Sequence, residues 1–332
     1  MLFRSSGVPD PMFIPLEGTL TQEDNKILLI GNMTKNKGYF YETHFHVEHS
    51  RPWRKLHWDS RESENVSKTY VEYMANKYGE GSNVFRIRVT GDPPLEDETV
   101  LIPLSWAEQC IGNEIIVAED EPLFLGVDVA RYGDDDSIIL PRRGLIINPW
   151  ETFHGTNTIT LGGFINTTYS DLNADGIAID EIGVGAGVCD WLSKRHLPGL
   201  YGINVSSASS DITKFDRLRD ELWCTMRDRC MNGEYSFPAI KRPQDIESLG
   251  QQLANELSMP TYDVNSHGGI IVESKKAMRA RGVASPNIAD ALGLTEYFHN
   301  SATKIWGKSA SERRKRRSVH TMPAGHHSWM AV

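Results

Sequence analysis

The stretch from Leu123 to Asp136 places a carboxylate where a buried strand is expected. The apolar run from Leu123 to Val129 has the length of a strand and contains one acid, Asp128, before an acidic turn from Gly133 to Asp136. Burying an unpaired carboxylate costs several kcal/mol, so a strand that tolerates one usually places it at a sheet edge facing a cation. A purely structural alternative is that Asp128 caps the following turn.

Two later stretches carry acids in related positions. Gly176 to Asp180 is another short apolar strand that ends in an acid, which is doubled by Glu181 and followed by a glycine-rich turn. A helix with Ser285 as its N-cap carries Asp290 in its first turns. Two strand acids and one helix acid suit a pair of Mg²⁺ or Mn²⁺ ions about 3.5–4 Å apart, which can activate water and stabilise a leaving oxygen. The predicted ligands are Asp128, Asp180 and Asp290.

Four motifs, in this order and at this spacing, resemble the nuclease domain of the large terminase subunit of tailed bacteriophages. They are GVDVARYGDDDS, IDEIGVGAGVCDWL, FDRLRDELW and ESKKAMRARGVASPNIADALGLT. The resemblance implies a ribonuclease H-like mixed α/β sheet flanked by helices, with Asp128, Asp180 and Asp290 as its catalytic and metal-binding acids. Asn287 stands where many relatives carry a further Asp, which leaves Asp290 as the acid of this helix. Second-choice ligands are Asp135, Asp136 and Glu181.

The region before these motifs resembles the last part of a terminase ATPase domain. GNMTKNKGYFYETHF is similar to the coupling motif of that domain, which implies a nucleotide-coupling loop at Gly31, Asn32 and Thr34. The sequence contains no G-x-x-x-x-G-K-[ST] loop, so this chain alone is not expected to hydrolyse ATP. The chain is then a fragment, a partner of a chain that supplies the missing ATPase half, or a remnant.

Shifts in composition predict three regions. Residues 1–117 are the C-terminal portion of a terminase-like ATPase domain with its linker, an incomplete α/β region without a phosphate-binding loop. Residues 118–300 are the ribonuclease H-like nuclease domain, and residues 301–332 are a basic, disordered tail. The net charge of −9 does not exclude a polyanionic substrate, because basic residues concentrate between Lys304 and Arg317.

Local patterns predict several further elements. Val84 to Val89 alternates like a half-exposed strand, whereas Thr158 to Tyr169 is ambiguous and the resemblance favours a helix. Asp245 to Leu257 is predicted as a helix. Two hairpins are predicted, one of Ser137–Leu140 with Gly144–Ile147 turned by Pro141, Arg142 and Arg143, and one of Thr261–Val264 with Ile270–Glu273. Gly183, Gly185 and Gly187 favour a turn at a metal site over a nucleotide-binding loop.

A basic cluster immediately before the third acid suits a phosphodiester backbone. It comprises Lys275, Lys276, Arg279 and Arg281. The alternative is an ordinary solvated helix face. The four cysteines show no metal-ligand spacing and are interpreted as reduced structural thiols.

The resemblance implies an endonuclease that cuts double-stranded concatemeric DNA during genome packaging, with a small terminase subunit and a portal protein as partners. No apolar run approaches the ~20 residues of a membrane span and no signal peptide is evident, so we expect a location in the host bacterial cytoplasm without membrane attachment. Two alternatives remain. One is a non-catalytic docking or regulatory chain of a split packaging motor, or a prophage remnant. The other is a different ribonuclease H-like enzyme, such as a resolvase or transposase. The motif GNMTKNKG argues against this alternative, because such enzymes do not need it.

Overall fold

The computed structural model describes residues 2–4, 8, 10–19, 21–46, 49–94, 100–118, 121–130, 135–265 and 268–305. Within these residues the strands are β1 (Leu2–Arg4), β2 (Leu28–Ile30), β3 (Leu123–Asp128), β4 (Asp136–Arg143), β5 (Ile146–Ile147), β6 (Glu151–His154), β7 (Gly176–Asp180), β8 (Leu200–Ile203), β9 (Tyr262–Val264) and β10 (Ile270–Val272).

The α-helices of the described residues are α1 (Phe13–Glu17), α2 (Tyr39–Phe45), α3 (Lys68–Tyr78), α4 (Asn83–Phe85), α5 (Leu104–Glu108), α6 (Thr158–Asp171), α7 (Val184–Ser193), α8 (Leu218–Met231), α9 (Leu249–Leu257), α10 (Lys275–Ala280) and α11 (Asn287–Ile305). Single turns of 3₁₀-helix occur at Asp10–Met12 and Ser60–Glu62, and Arg86–Thr90 is a π-helical turn. No described helix is both long and apolar enough to cross a membrane.

The chain divides into two compact units. The first unit comprises Met1–Glu114 and Asn204–Asp290, and the second comprises Ile115–Ile203 and Ala291–Val332. Each unit is therefore built from two separate parts of the chain, and α11 passes from one unit to the other. The assignment of residues 1–117 to an ATPase domain, 118–300 to a nuclease domain and 301–332 to a tail stays a prediction. The predicted tail beyond Ile305, and Gly133 and Asp134 of the predicted acidic turn, lie outside the described residues.

The second unit contains a six-stranded mixed sheet. The strand order is β5-β4-β3-β7-β8, with β6 also paired to β4. β3 is antiparallel to β4 and parallel to β7, which is in turn parallel to β8. The first strands are thus antiparallel and the later ones parallel, with β3 in the centre. The predicted mixed α/β class, with a mixed sheet and flanking helices, is confirmed.

Burial explains why β3 and β7 read as apolar runs in the sequence. Every residue of β3 is buried, as are the first four of β7. A core cluster on these strands includes Leu125, Val127 and Ile179, and it takes in Leu161 of α6 and Val188 of α7. Central strands that are covered on both faces lose the polar alternation of half-exposed ones. The helix that the resemblance favoured after Thr158 is confirmed as α6.

The later part of α11 packs closely on the sheet at Gly126. A Cβ atom at Gly126 would lie only 1.9 Å from the Ala291 carbonyl oxygen. The buried Arg142 of β4 contacts the same helix, because its Nε and Nη2 donate to Oγ1 and the carbonyl oxygen of Thr295, each at 2.7 Å. Glycine at position 126 therefore allows the helix to approach the central strand.

The first predicted hairpin forms, but its turn was misplaced. Pro141, Arg142 and Arg143 belong to β4, and the turn contains Gly144 with φ of 56°. Proline was expected to end the strand because it usually interrupts a ladder. Here the Pro141 carbonyl accepts a hydrogen bond from Asn148 N, on the side of β4 that faces away from β3. On that side, Pro141 follows the residues of β4 that pair with β6 and precedes those that pair with β5. Its missing N–H therefore breaks no pairing with β3.

The first unit is mainly helical, with a parallel pair β1–β2 and an antiparallel pair β9–β10. The pair β9–β10 confirms the second predicted hairpin. The helix predicted from Asp245 begins only at Leu249, where the Ser248 side chain accepts from Gln251 N. A core cluster joins Met74 and Tyr78 of α3 with Val84, Met259 and Val283, among others.

The strand prediction for Val84 to Val89 was wrong. This stretch is helical, comprising α4 and the π-helical turn that follows it. The Ser82 hydroxyl accepts from Phe85 N at 3.1 Å and so caps the helix start. Val84, Phe85, Ile87 and Val89 are all buried, while the intervening arginines are half-buried. Tertiary packing of a short helix thus produced an alternation that resembles a strand.

Candidate metal centre

Two of the three predicted ligands end neighbouring parallel strands. Val127 of β3 is in register with Ile179 of β7, and the next residue of each strand is Asp128 and Asp180. Side chains in register on parallel neighbours leave the same face of a sheet, and the strands are about 4.8 Å apart. Asp128 is buried, whereas Asp180 is half-buried. The fold therefore brings these two carboxylates to one edge of the sheet.

The glycine-rich turn after β7 has a local role at Asp180. Its Oδ1 accepts from Ile182 N at 3.0 Å. Gly183 has φ of 71°, which favours glycine, and α7 begins at the next residue. A Cβ atom at Gly185 would lie 1.7 Å from the Asp180 carbonyl oxygen, whereas one at Gly187 would meet only Thr158 Cγ2, at 3.9 Å. The first two of these glycines, unlike Gly187, let the chain fold back onto the strand end.

The second-choice ligands lie near the same edge of the sheet. Asp136 begins β4, which runs antiparallel to β3, and its Oδ1 is 2.9 Å from Nδ1 of the exposed His154. Asp135 directly precedes this strand and is half-buried, and Glu181 is exposed after β7. Their roles as ligands stay predictions.

Asp290 occupies a different environment, in the first unit. Its Oδ2 is 2.9 Å from Nζ of Lys275, and its Oδ1 accepts from Trp223 Nε1 at 3.0 Å. Arg219 Nη2 is 4.0 Å from the same Oδ1. Burial acts to raise the pKa of Asp290, but the charges of Lys275 and Arg219 outweigh it and hold this pKa below its usual range. The carboxylate is therefore ionised at neutral pH.

The oxygen atoms of these acids are chemically suited to a hard divalent cation. Oδ2 of Asp290 is buried and, despite its ion pair with Lys275, has no hydrogen-bond partner of good geometry within the described residues. A metal cation at this oxygen would take the place that the Lys275 ammonium holds, 2.9 Å away. The part of the chain that the structure describes contains no group of three or more His, Cys, Asp or Glu side chains arranged to hold a metal. The three-acid site thus stays a prediction.

Sequence reasoning missed two residues that surround Asp290 and its helix. Trp223 lies on α8, and no sequence pattern distinguished its indole from the other apolar side chains of this helix. Glu256 lies on α9 and is buried, and its Oε2 accepts from Ile288 N and Ala289 N of α11. Burial raises the pKa of Glu256, against the opposing charge of Lys77. The sequence feature that could have pointed to Glu256 is its position between Leu253 and Leu257, two leucines that are buried in the same helix.

The four residues of the predicted DNA-binding cluster differ in exposure and in their contacts. Lys275 pairs with Asp290, and Arg281 makes two hydrogen bonds of 2.7 Å to the Glu273 carboxylate. Lys276 and Arg279 are exposed on α10, and Arg279 Nη2 donates to Ser285 Oγ at 3.2 Å. A contact with DNA is therefore easier to reconcile with the two exposed residues, and the role of all four stays a prediction.

The predicted nucleotide-coupling loop follows β2. Gly31 and Asn32 are exposed, and Thr34 is half-buried. Thr34 lines a cavity of about 440 Å³ together with Asp10 and Tyr39, among others. The Asp10 carboxylate accepts from Tyr39 N, which lies at the start of α2, at 3.0 Å. The structure thus supplies a concave surface beside the loop, while the coupling role stays a prediction.

Comparison with known proteins finds one curated relative and several solved structures that are similar to the chain. No family model matches the chain. A probable large terminase subunit of Enterobacteria phage P7 is 26% identical over 298 residues, which are 84% of this chain and 58% of the relative. The chain therefore spans little more than half the length of this relative. The predicted resemblance to large terminase subunits is confirmed by it.

Solved structures similar to the chain include two nuclease domains. The nuclease domain of the large terminase subunit of bacterial virus Sf6 is 17% identical, with coverage of 58% of this chain and 96% of that domain and a TM-score of 0.48. The large terminase nuclease from thermophilic phage G20c, with bound magnesium, is 15% identical, with coverage of 60% and 97% and a TM-score of 0.44.

Proposed function

We propose that the chain is a metal-dependent endonuclease that cuts double-stranded concatemeric DNA during phage genome packaging. The observation that carries the proposal is the register of β3 and β7, which places Asp128 and Asp180 at neighbouring strand ends in a relative of large terminase subunits. Parallel strands of α/β proteins commonly present their functional groups at this edge.

Asp128, Asp180 and Asp290 would hold two Mg²⁺ or Mn²⁺ ions. When bound, such cations lower the pKa of water and stabilise charge on the leaving oxygen. The rigid ends of β3 and β7 fix the directions of two carboxylates. Lys275 and Arg219 keep Asp290 ionised, and the Trp223 N–H holds its Oδ1 in place. Asp290 is thus presented as an anion in a defined orientation.

The substrate and partners are proposed from the relationship to terminases. Exposed Lys276 and Arg279 are suitable contacts for the phosphates of double-stranded DNA. A small terminase subunit, a portal protein and a polypeptide with the phosphate-binding loop of the ATPase would complete the packaging motor. Such a motor would act in the cytoplasm of the host bacterium.

Nicking of supercoiled plasmid by the purified chain tests the proposal. We expect cleavage with Mn²⁺ or Mg²⁺ and none with EDTA. Asp128→Asn, Asp180→Asn and Asp290→Asn should each reduce the rate at least about 100-fold, because an amide oxygen binds a hard cation more weakly than a carboxylate does. Asp171→Asn, at an exposed position at the end of α6, should leave the rate unchanged.

Intact plasmid with every metal, from well-folded wild-type chain, would refute the proposal. That outcome would favour the non-catalytic docking or regulatory chain. Cleavage that survives all three Asp→Asn substitutions would place the catalytic groups elsewhere.

A further inference from the structure

The buried carboxylate of Glu256 is hydrogen-bonded to the first turn of α11. Its side chain is only 2% exposed, and Oε2 accepts from Ile288 N at 2.7 Å and from Ala289 N at 3.2 Å. The first N–H groups of a helix have no partner within the helix, and an anion near them is favoured by the helix dipole. Glu256 therefore caps α11 from a different helix.

The capped peptide groups immediately precede Asp290. Asp290 N donates to the Pro286 carbonyl at 2.8 Å, which closes the same helical turn. When two consecutive peptide groups are held by one carboxylate, the direction in which the next side chain leaves the backbone is held as well. A displacement of this turn would move the Asp290 oxygens relative to Lys275 and Trp223, which come from other helices.

The other oxygen of Glu256 is directed to α3. Lys77 Nζ is 3.3 Å from Oε1, so one carboxylate oxygen serves the ammonium and the other serves α11. The end of α3 also contacts the loop before α11, since Ala284 N donates to the Tyr78 carbonyl at 3.3 Å. A Cβ atom at Gly79 would lie 1.9 Å from the Gly282 carbonyl oxygen. These contacts form a close junction of helix and loop within the first unit.

We propose that Glu256 is a positioning residue for Asp290, with Lys77 as its counter-charge. This inference rests on the proposed metal site and adds to it a tie between Asp290 and α3. Glu256 itself does not touch the metal. It orients the turn that presents the metal ligand, and partners of this kind typically change metal affinity 10–100-fold when they are removed.

Glu247 provides a matched control. It is also a buried carboxylate, and it accepts from Tyr78 Oη at 2.7 Å and from Asn255 Nδ2 at 3.1 Å. Glu247 is thus tied to the same end of α3 as Glu256. These contacts involve neither Ile288 nor Ala289. Replacing Glu247 should disturb the surrounding packing without releasing the cap of α11.

The test measures Mn²⁺ affinity by calorimetry on the full chain, beside thermal midpoints. Glu256→Gln keeps the side-chain volume but offers one acceptor oxygen and no charge, so α11 or Lys77 loses its partner. We expect it to weaken Mn²⁺ binding about 10-fold. Glu247→Gln should lower the thermal midpoint similarly and change Mn²⁺ affinity less than about 2-fold. In nicking assays Glu256→Gln should raise the half-saturating Mn²⁺ concentration more than it lowers the rate at saturation.

Wild-type Mn²⁺ affinity in folded Glu256→Gln would overturn the positioning role, and so would an equal loss in Glu247→Gln. If Glu256→Gln does not fold, Glu256→Asp is measured instead, because it keeps the charge and withdraws the oxygens from α11. The same weakening is expected, and unchanged affinity overturns the inference. If the wild-type chain binds no Mn²⁺, the metal site itself is refuted and the positioning role with it.

Discussion

Asp180 and Asp290 are both predicted metal ligands, but the two units stabilise their charges in different ways. Asp180 ends a strand of the second unit and receives the Ile182 N–H of the adjoining turn. Asp290 lies in the first unit and is surrounded by Lys275 and Trp223, with Arg219 4.0 Å away. A strand-end acid can be stabilised by the backbone next to it, whereas Asp290, on a helix, is stabilised by charges and a hydrogen bond from other helices.

The largest expected effect concerns the turn behind Asp180. Gly185→Ala should destabilise the chain by about 3 kcal/mol, because its Cβ would lie 1.7 Å from a backbone carbonyl that cannot easily move. Gly187→Ala is the matched control, with ordinary contact at 3.9 Å, and should stabilise α7 by about 0.5–1 kcal/mol. Urea unfolding measures both. Equal effects would show that the close approach at Asp180 does not constrain this turn.

A smaller effect is expected at Asp290, where side chains compensate the charge of the carboxylate. Lys275→Met should cost about 1–2 kcal/mol in the free energy of unfolding, since it removes the ammonium 2.9 Å from Asp290 while Arg219 and Trp223 remain. Added Mn²⁺ should raise the thermal midpoint of this variant more than that of the wild type, because a cation replaces the lost charge.

Lys276→Met, on the exposed face of the same helix, is the control for Lys275→Met. It should change the free energy of unfolding by less than about 0.5 kcal/mol. If the two variants behave alike in stability and in their response to Mn²⁺, the ion pair does not compensate Asp290, and the contrast with Asp180 fails.

The smallest effect is expected at Glu273, an acid that lies outside the candidate site and is also paired with a cation. Burial acts to raise the pKa of Glu273, but its hydrogen bonds with Arg281 and Thr261 outweigh it and lower this pKa. The resulting stability is complete above the unfolded-state pKa of about 4.3 and is lost as pH falls through the lower folded-state value. Glu273→Gln should therefore lower the thermal midpoint by about 2–4 °C at pH 7 and much less near pH 3.

Glu72→Gln on the exposed face of α3 provides the reference for this pH series. Its small difference from the wild type should not change with pH. A Glu273→Gln difference that stays constant down to pH 3 would contradict a lowered pKa, and with it the view that a neighbouring cation controls the charge of acids in this unit.

Much of the second unit was predictable from local pattern. β3 and β7 are covered on both faces, so their sequences are nearly continuous apolar runs, and an acid at the end of each run is conspicuous. The errors, one in each unit, occurred where tertiary contacts decide the local structure. Burial of a short helix gave Val84–Val89 the alternation of a strand, and Pro141 suggested a turn because a sequence does not show which side of a strand lacks a partner.

The sequence by itself determined which acids end the central strands, and it indicated the terminase relationship through motifs that lie within short stretches of chain. Only the tertiary structure decided what surrounds Asp290. Trp223 is 67 residues away from Asp290 along the chain, and Glu256 is 32 residues away from Ile288, whose N–H donates a hydrogen bond to it. Compensation of a buried charge depends on distances in space, and these partners follow no local period that a sequence could reveal.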